Sequence, residues 1–107
     1  MNTKYSKLYV DDIRNIPDDE WDVARTYDQA IYMLGMNNYD VVSLDHDLGD
    51  FRKDGREMTG YDVLMYLVER KENNLHVPAT IYVHTANPPA RIKMISTIQR
   101  YWKSIND

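Results

Sequence analysis

Asp45-His46-Asp47 follows directly on the apolar run Val41-Val42-Ser43-Leu44. Carboxylates are the oxygen ligands that hard divalent cations prefer, and an imidazole titrates near neutrality. This triplet could therefore hold a cation and move a proton. Two other apolar runs end in the same manner. Leu8-Tyr9-Val10 leads into Asp11-Asp12-Ile13-Arg14, and Ala79-Thr80-Ile81-Tyr82-Val83 into His84-Thr85-Ala86-Asn87. Brought to one point, Asp11, Asp12 and Asp45 would bind a divalent cation, while His46 and His84 would share general base and general acid work. Asp47 is either a further ligand or the carboxylate that orients His46 or His84. Arg14 either clamps a phosphate with its planar guanidinium or pairs with Asp18 or Asp19 at the surface. Asn87 either holds a phosphoryl oxygen or caps the last helix. His76, ahead of Val77-Pro78, reads as a loop residue.

These groups need strands that end together. The pattern predicts strands over residues 7–10, 21–25, 40–44 and 79–83, bounded by turn-forming Asn, Asp and Pro residues. Thr26 or Asp28 caps a helix with Ala30, Ile31 and Leu34 on one face, and Asn37-Asn38 ends it. Residues 45–58 read as a long polar loop. Thr59 then opens a helix with the stripe Val63, Leu64, Leu67, Val68, and Gly60 allows close backbone packing at its start. Pro88-Pro89 suits the first turn of a last helix whose apolar stripe is Ile92, Ile95, Ile98, Trp102 and Ile105. The order is β-β-α-β-α-β-α. With right-handed crossovers the sheet closes as 2-1-3-4, and its switch point falls between strands one and three. Parallel α/β sheets bind ligands there, outside the carboxyl ends of the strands. Asp11, Asp12 and residues 45–47 converge at that switch point.

Composition narrows the classes. A chain of 107 residues forms one domain with a core of its own. It has no cysteine, which removes disulfides and thiolate metal sites. No apolar run nears the ~20 residues that span a bilayer. The net charge of −4 argues against tracking long duplex nucleic acid, which needs a basic surface. It leaves room for a small phosphorylated ligand or one RNA end, with a divalent cation standing between phosphate and acids. Nine tyrosines suit half-buried sheet and cleft positions.

Asp11-Asp12, Asp45, Thr85-Ala86 and the helix opening Thr59-Gly60-Tyr61-Asp62-Val63-Leu64 resemble a response-regulator receiver domain. No Lys-Pro follows a fifth strand, because the chain ends after the helix that would precede it, and the first helix is reduced to a loop. A closer resemblance is to the cyclic-phosphate processing receiver domains, common in phage and bacterial genomes. It rests on Val10-Asp11-Asp12-Ile13-Arg14, Ser43-Leu44-Asp45-His46-Asp47-Leu48-Gly49, Thr59-Gly60 and Val83-His84-Thr85-Ala86-Asn87-Pro88, in that order. The resemblance implies a flavodoxin-like three-layer sandwich with a truncated four-stranded parallel sheet. It also implies the opening or processing of a cyclic phosphate on a nucleotide or RNA terminus in a bacterial or phage-infected cytosol.

Combined with the residues, the expected activity is that of a metal-assisted phosphodiesterase. Asp11, Asp12 and Asp45 hold Mg²⁺ or Mn²⁺; His46, His84, Asp45 and Asp47 are catalytic; Arg14, Asn87 and Thr85 bind phosphate. Two other functions fit the same pocket. One is a binding protein that sequesters a nucleotide signal, in phage counter-defence for example. The other is a degenerate phosphoacceptor with Asp45 as the acceptor, against which the missing lysine counts. Arg52, Lys53 and Arg56 either cover a bound anion or form a solvated charge run. The fourth strand, left as an edge, could join a homodimer.

Overall fold

The computed structural model of the protein describes residues 6–102. Its elements run β1 (Lys7–Val10), β2 (Trp21–Ala24), α1 (Tyr27–Met36), β3 (Val41–Leu44), β4 (Asp50–Phe51), β5 (Glu57–Met58), α2 (Gly60–Glu72), β6 (Thr80–Val83) and α3 (Pro88–Trp102). Four strands form one parallel sheet in the order β2-β1-β3-β6. This is the expected 2-1-3-4 arrangement, with β6 as its fourth member, and the fold is a truncated receiver-like α/β fold. No described helix is long and apolar enough to cross a membrane.

Side chains alternate across a strand, and here the alternation divides labour. Leu8, Val10, Val42, Leu44 and Ala24 point to one face and are fully buried. They pack against Ala30 and Leu34 of α1, Val63, Leu64, Leu67 and Val68 of α2, and Met94 and Trp102 of α3 in one cluster. All three helices therefore lie on the same side of the sheet. Among the described residues the layering is helix on sheet, two layers rather than the expected three. The segment that would supply a helix for the opposite face, between β1 and β2, is loop.

Local chemistry explains the helix ends. Thr26, not Asp28, is the N-cap of α1, accepting from the Gln29 amide. Thr59 and Asp62 form a reciprocal capping box at the start of α2. In α3 the buried positions are Ala90, Met94 and Trp102, with Ile98 packed against the core. This i, i+4 series keeps Ile98 and Trp102 of the expected stripe and adds Ala90 and Met94, while Ile92, two residues past Ala90 and so on the far side of the helix, is 68% exposed. Ile105 lies outside the described residues.

The long polar segment is not all loop. Asp50–Phe51 pairs antiparallel with Glu57–Met58, and the turn closes through Arg52 N–H on the Arg56 carbonyl. Asp50 accepts from the Tyr27 amide, and Arg52 makes a two-pronged pair with Asp28 at 2.9 and 3.0 Å. Arg52 thus ties this hairpin to α1 and is not turned to a phosphate. Two-residue strands are too short to leave a period in the sequence.

Candidate active site

The parallel ladders continue one residue past the strand ends. Asp11 N–H bonds the Ala24 carbonyl, Asp45 N–H the Val10 carbonyl and His84 N–H the Leu44 carbonyl. Asp11, Asp45 and His84 therefore stand in one row across β1, β3 and β6. They share the face opposite the helices with Tyr9 and Ser43, two residues earlier in their strands. The apolar runs thus place the chemistry by their register.

Asp11 is 1% exposed and almost fully engaged. Its Oδ1 accepts from the Ile13 and Arg14 amides at 3.0 and 2.8 Å, and its Oδ2 meets His84 Nε2 at 2.9 Å. Burial alone would push the carboxyl up. The two amides and His84 together outweigh it and hold Asp11 below its ordinary value. Arg25 braces the same turn from behind, donating to the Asp11 and Arg14 carbonyls. Asp45 is pushed the other way: burial first, then the charge of Asp11, raise it. The His46 amide, His84 and a hydrogen bond from the Thr85 hydroxyl oppose that rise.

Each of Asp11, Asp12 and Asp45 offers an oxygen within 4.8 Å of the others. Three carboxylates that close, with Asp45 raised by burial and then by the charge of Asp11, are a donor set that a divalent cation would neutralise; the cluster could bind a metal. Gly49 closes one side. It sits at φ +59°, and a Cβ there would lie 3.3 Å from the Asp12 carboxylate. Gly60 closes another: a Cβ would fall 1.7 Å from the Asp45 carbonyl oxygen, so only glycine lets α2 start against the Asp45-His46 turn.

The acids open on a cleft of about 540 Å³ lined by Asp11, Asp12, Ile13, Arg14, Asn15, Asp45, Asp47 and Ala86. Arg14 does not pair with Asp18 or Asp19. Half exposed, it lies along the rim with Nη1 3.2 Å from the His84 carbonyl and Nε 3.8 Å from Asp11. Asp47 meets the Nδ1 of His46 at 2.8 Å, the orienting option of the two expected, and lies outside the three-carboxylate cluster. His46 itself does not line the cleft; Asp47 connects it to the cleft.

His84, expected as an acid facing the ligand, has both ring nitrogens occupied within the protein. Nε2 is on Asp11, and Nδ1 is 2.7 Å from the Ser43 hydroxyl. The ring stacks on Tyr9 at 4.3 Å and 5°. Burial lowers its pKa more than Asp11 and Asp45 raise it. Asn87 is the cap of α3: its Oδ1 accepts from the Ala90 amide and its carbonyl from the Arg91 amide. Thr85 is buried and serves both neighbours, donating to Asp45 and accepting from the Asn87 amide.

Sequence reasoning passed over Tyr9, Ser43 and Arg25. One signal was there to read: Ser43 is the lone polar residue in its run and shares a face with Asp45, two positions on. Arg25 carried no such signal, because its partners are backbone carbonyls reached only after folding.

The family model for cyclic-phosphate processing receiver domains matches residues 6–100. No curated protein and no solved structure matches the chain significantly. The match spans every element from β1 into α3 and includes each acid and imidazole of the row. The chain belongs to the cyclic-phosphate processing receiver domain family.

Proposed function

We propose that the protein is a phosphoesterase that opens a cyclic phosphate on a nucleotide or RNA terminus, assisted by Mg²⁺ or Mn²⁺. The observation that carries this reading is the clustering of Asp11, Asp12 and Asp45 within 4.8 Å beside a cleft whose rim bears Arg14. Asp11, Asp12 and Asp45 would hold the cation. Bound there, it would polarise a phosphoryl oxygen and lower the pKa of a coordinated water. Arg14 reaches the same space with a guanidinium loosely paired to Asp11 and donating to the His84 carbonyl through Nη1, and its remaining N–H groups would meet the other phosphoryl oxygens.

Asp47, which lines the cleft, and His46 behind it are the pair for proton transfer. His46 Nδ1 lies 2.8 Å from Asp47 Oδ1, so the imidazole orients the carboxylate and can share the proton it takes up. Through Asp47 the pair takes a proton from the attacking water as one P–O bond forms. It returns that proton to the ribose oxygen as the other P–O bond breaks, giving a phosphomonoester and a free hydroxyl. His84, Thr85 and Asn87 hold Asp11, Asp45 and the start of α3 in place.

The test is incubation with 2′,3′-cyclic nucleotides and with ADP-ribose cyclic phosphate, with Mg²⁺ or with EDTA, followed by ³¹P NMR. Conversion of the cyclic resonance to a monoester only with the cation supports the reading. A second reading, sequestration without turnover, is favoured by the occupied nitrogens of His84, which leave a single imidazole for proton transfer. Recovery of intact cyclic ligand bound to the protein would select it.

A further inference from the structure

A chain of three side chains runs beneath the acidic cluster: Ser43 to His84 at 2.7 Å, and His84 to Asp11 at 2.9 Å. Its members come from three strands, β3, β6 and β1, with β3 in the middle. The imidazole therefore reaches across β3 to contact β1. A small residue at position 43 gives it passage, and Tyr9, stacked parallel at 4.3 Å, gives it a floor.

The connectivity is that of a nucleophilic Ser-His-Asp triad, but Ser43 is 6% exposed and its oxygen bonds the imidazole. No substrate reaches it. A different function follows from counting acceptor positions on Asp11. An ionised carboxylate has about four lone-pair sites. The Ile13 and Arg14 amides take two on Oδ1, and His84 takes one on Oδ2. One remains, on Oδ2, with Arg14 Nε at 3.8 Å, beyond hydrogen-bond distance. Because ionised Asp11 can only accept, His84 carries a proton on Nε2, and in the neutral ring Nδ1 accepts from the Ser43 hydroxyl. Asp11 thus sets the tautomer, while the Ser43 hydroxyl holds the ring in place through Nδ1 and Tyr9 sets its plane.

We infer that Ser43 and Tyr9 are positioning residues which, acting through His84, aim the last free lone pair of Asp11 at the cation. The inference rests on the reading of Asp11, Asp12 and Asp45 as a cation site. Neither residue lines the cleft. Partners of this kind typically account for 10–100-fold in metal affinity. Without the hydroxyl, Nδ1 loses its anchor and the ring can shift in its plane, so the Nε2–H that fixes the direction of Asp11 Oδ2 is no longer held in place.

The experiment is Mn²⁺ titration followed by electron paramagnetic resonance on the wild type, Ser43→Ala, Tyr9→Phe and Tyr9→Leu. Long-range ¹⁵N–¹H NMR of His84 at pH 8 accompanies it. Expected are an Nε2–H tautomer in the wild type and Mn²⁺ affinity weakened about tenfold in Ser43→Ala and Tyr9→Leu. Tyr9→Phe, which keeps the stacked ring, should bind as the wild type does. A wild-type proton on Nδ1 overturns the inference. So does unchanged Mn²⁺ affinity in a folded Ser43→Ala or Tyr9→Leu. Should Ser43→Ala fail to fold, the two Tyr9 variants and the wild-type tautomer decide the matter. A wild type that binds no Mn²⁺ defeats the cation reading and this inference with it; a wild type that binds while the variants match it defeats this inference alone.

Discussion

Leu8 and Tyr9 are neighbours in one strand, yet they belong to regions with opposite rules. Leu8 and Val10, with Val42 and Leu44 beside them, face the helices and are fully buried among apolar side chains. Tyr9 and Asp11, with Ser43 and Asp45 beside them, form a face where each buried polar group is satisfied by the next. Asp11 bonds His84, His84 bonds Ser43, and among the described residues no buried side-chain nitrogen or oxygen lacks a partner. The helix face is held by area removed from water, which is non-directional and tolerant of small shifts. The other face is held by hydrogen bonds whose geometry also sets the direction of the acids. The lesson is that strand parity separates stability from chemistry within a few ångströms.

Substitutions can break or sharpen that contrast. The largest effect is expected from Asp11→Asn, which removes a clustered charge and disturbs the His84 contact. Turnover of a cyclic nucleotide should fall by about 10²–10³-fold in steady-state assays while the protein stays folded. Leu8→Ala, one position away, should do the reverse. It should lower unfolding free energy by about 2–5 kcal/mol in urea titrations, with Mn²⁺ affinity of the folded protein unchanged. Gly60→Ala should cross the divide. Its Cβ would collide with the Asp45 carbonyl, so about 1–3 kcal/mol of stability and part of the Mn²⁺ affinity should be lost together. If Mn²⁺ binding survived Gly60→Ala intact, the close approach of α2 would matter to packing alone.

Asp45→Asn gives the smallest shift and the most diagnostic one. Burial and the charge of Asp11 raise the Asp45 carboxyl, so its ionised form works against the fold in the absence of a cation. The metal-free variant should melt higher than the wild type at pH 7, by roughly 3 °C. Stability lost to a raised carboxyl is lost as pH rises through its folded pKa and is regained below the unfolded value. The advantage of the variant should therefore shrink as pH falls through the acid range and vanish near pH 3.8. Adding Mn²⁺ should raise the wild-type midpoint but not that of the variant. Equal midpoints for the two at neutral pH would remove the electrostatic argument for a cation at this cluster.

Much of this was legible in the chain. Alternation and turn residues marked the four main strands, and the endings Asp11-Asp12, Asp45-His46-Asp47 and His84-Thr85 marked the site. What stayed hidden had a short or non-local signature. The β4–β5 hairpin pairs only two residues per strand, so no period betrays it. The buried face of α3 runs through Ala90 and Met94 as well as the expected Ile98 and Trp102, because positions four apart share one face and Ile92 falls on the opposite one. The roles of Asn87 and Asp47 were each open between two readings. Hydrogen bonds to the Ala90 amide and to His46, made by atoms whose direction depends on backbone geometry, put Asn87 at the helix cap and Asp47 beside the imidazole.

The order of apolar runs and polar endings determined by itself which residues would meet, since a parallel sheet with this connectivity brings its strand ends to one edge. It also carried the match to the family over residues 6–100. Only the tertiary structure decided what each residue does there. Asp11 and His84 are 73 positions apart in the chain. Whether an imidazole faces a ligand or supports a carboxylate depends on the lone pairs and protons that surround it, and those are assembled by folding.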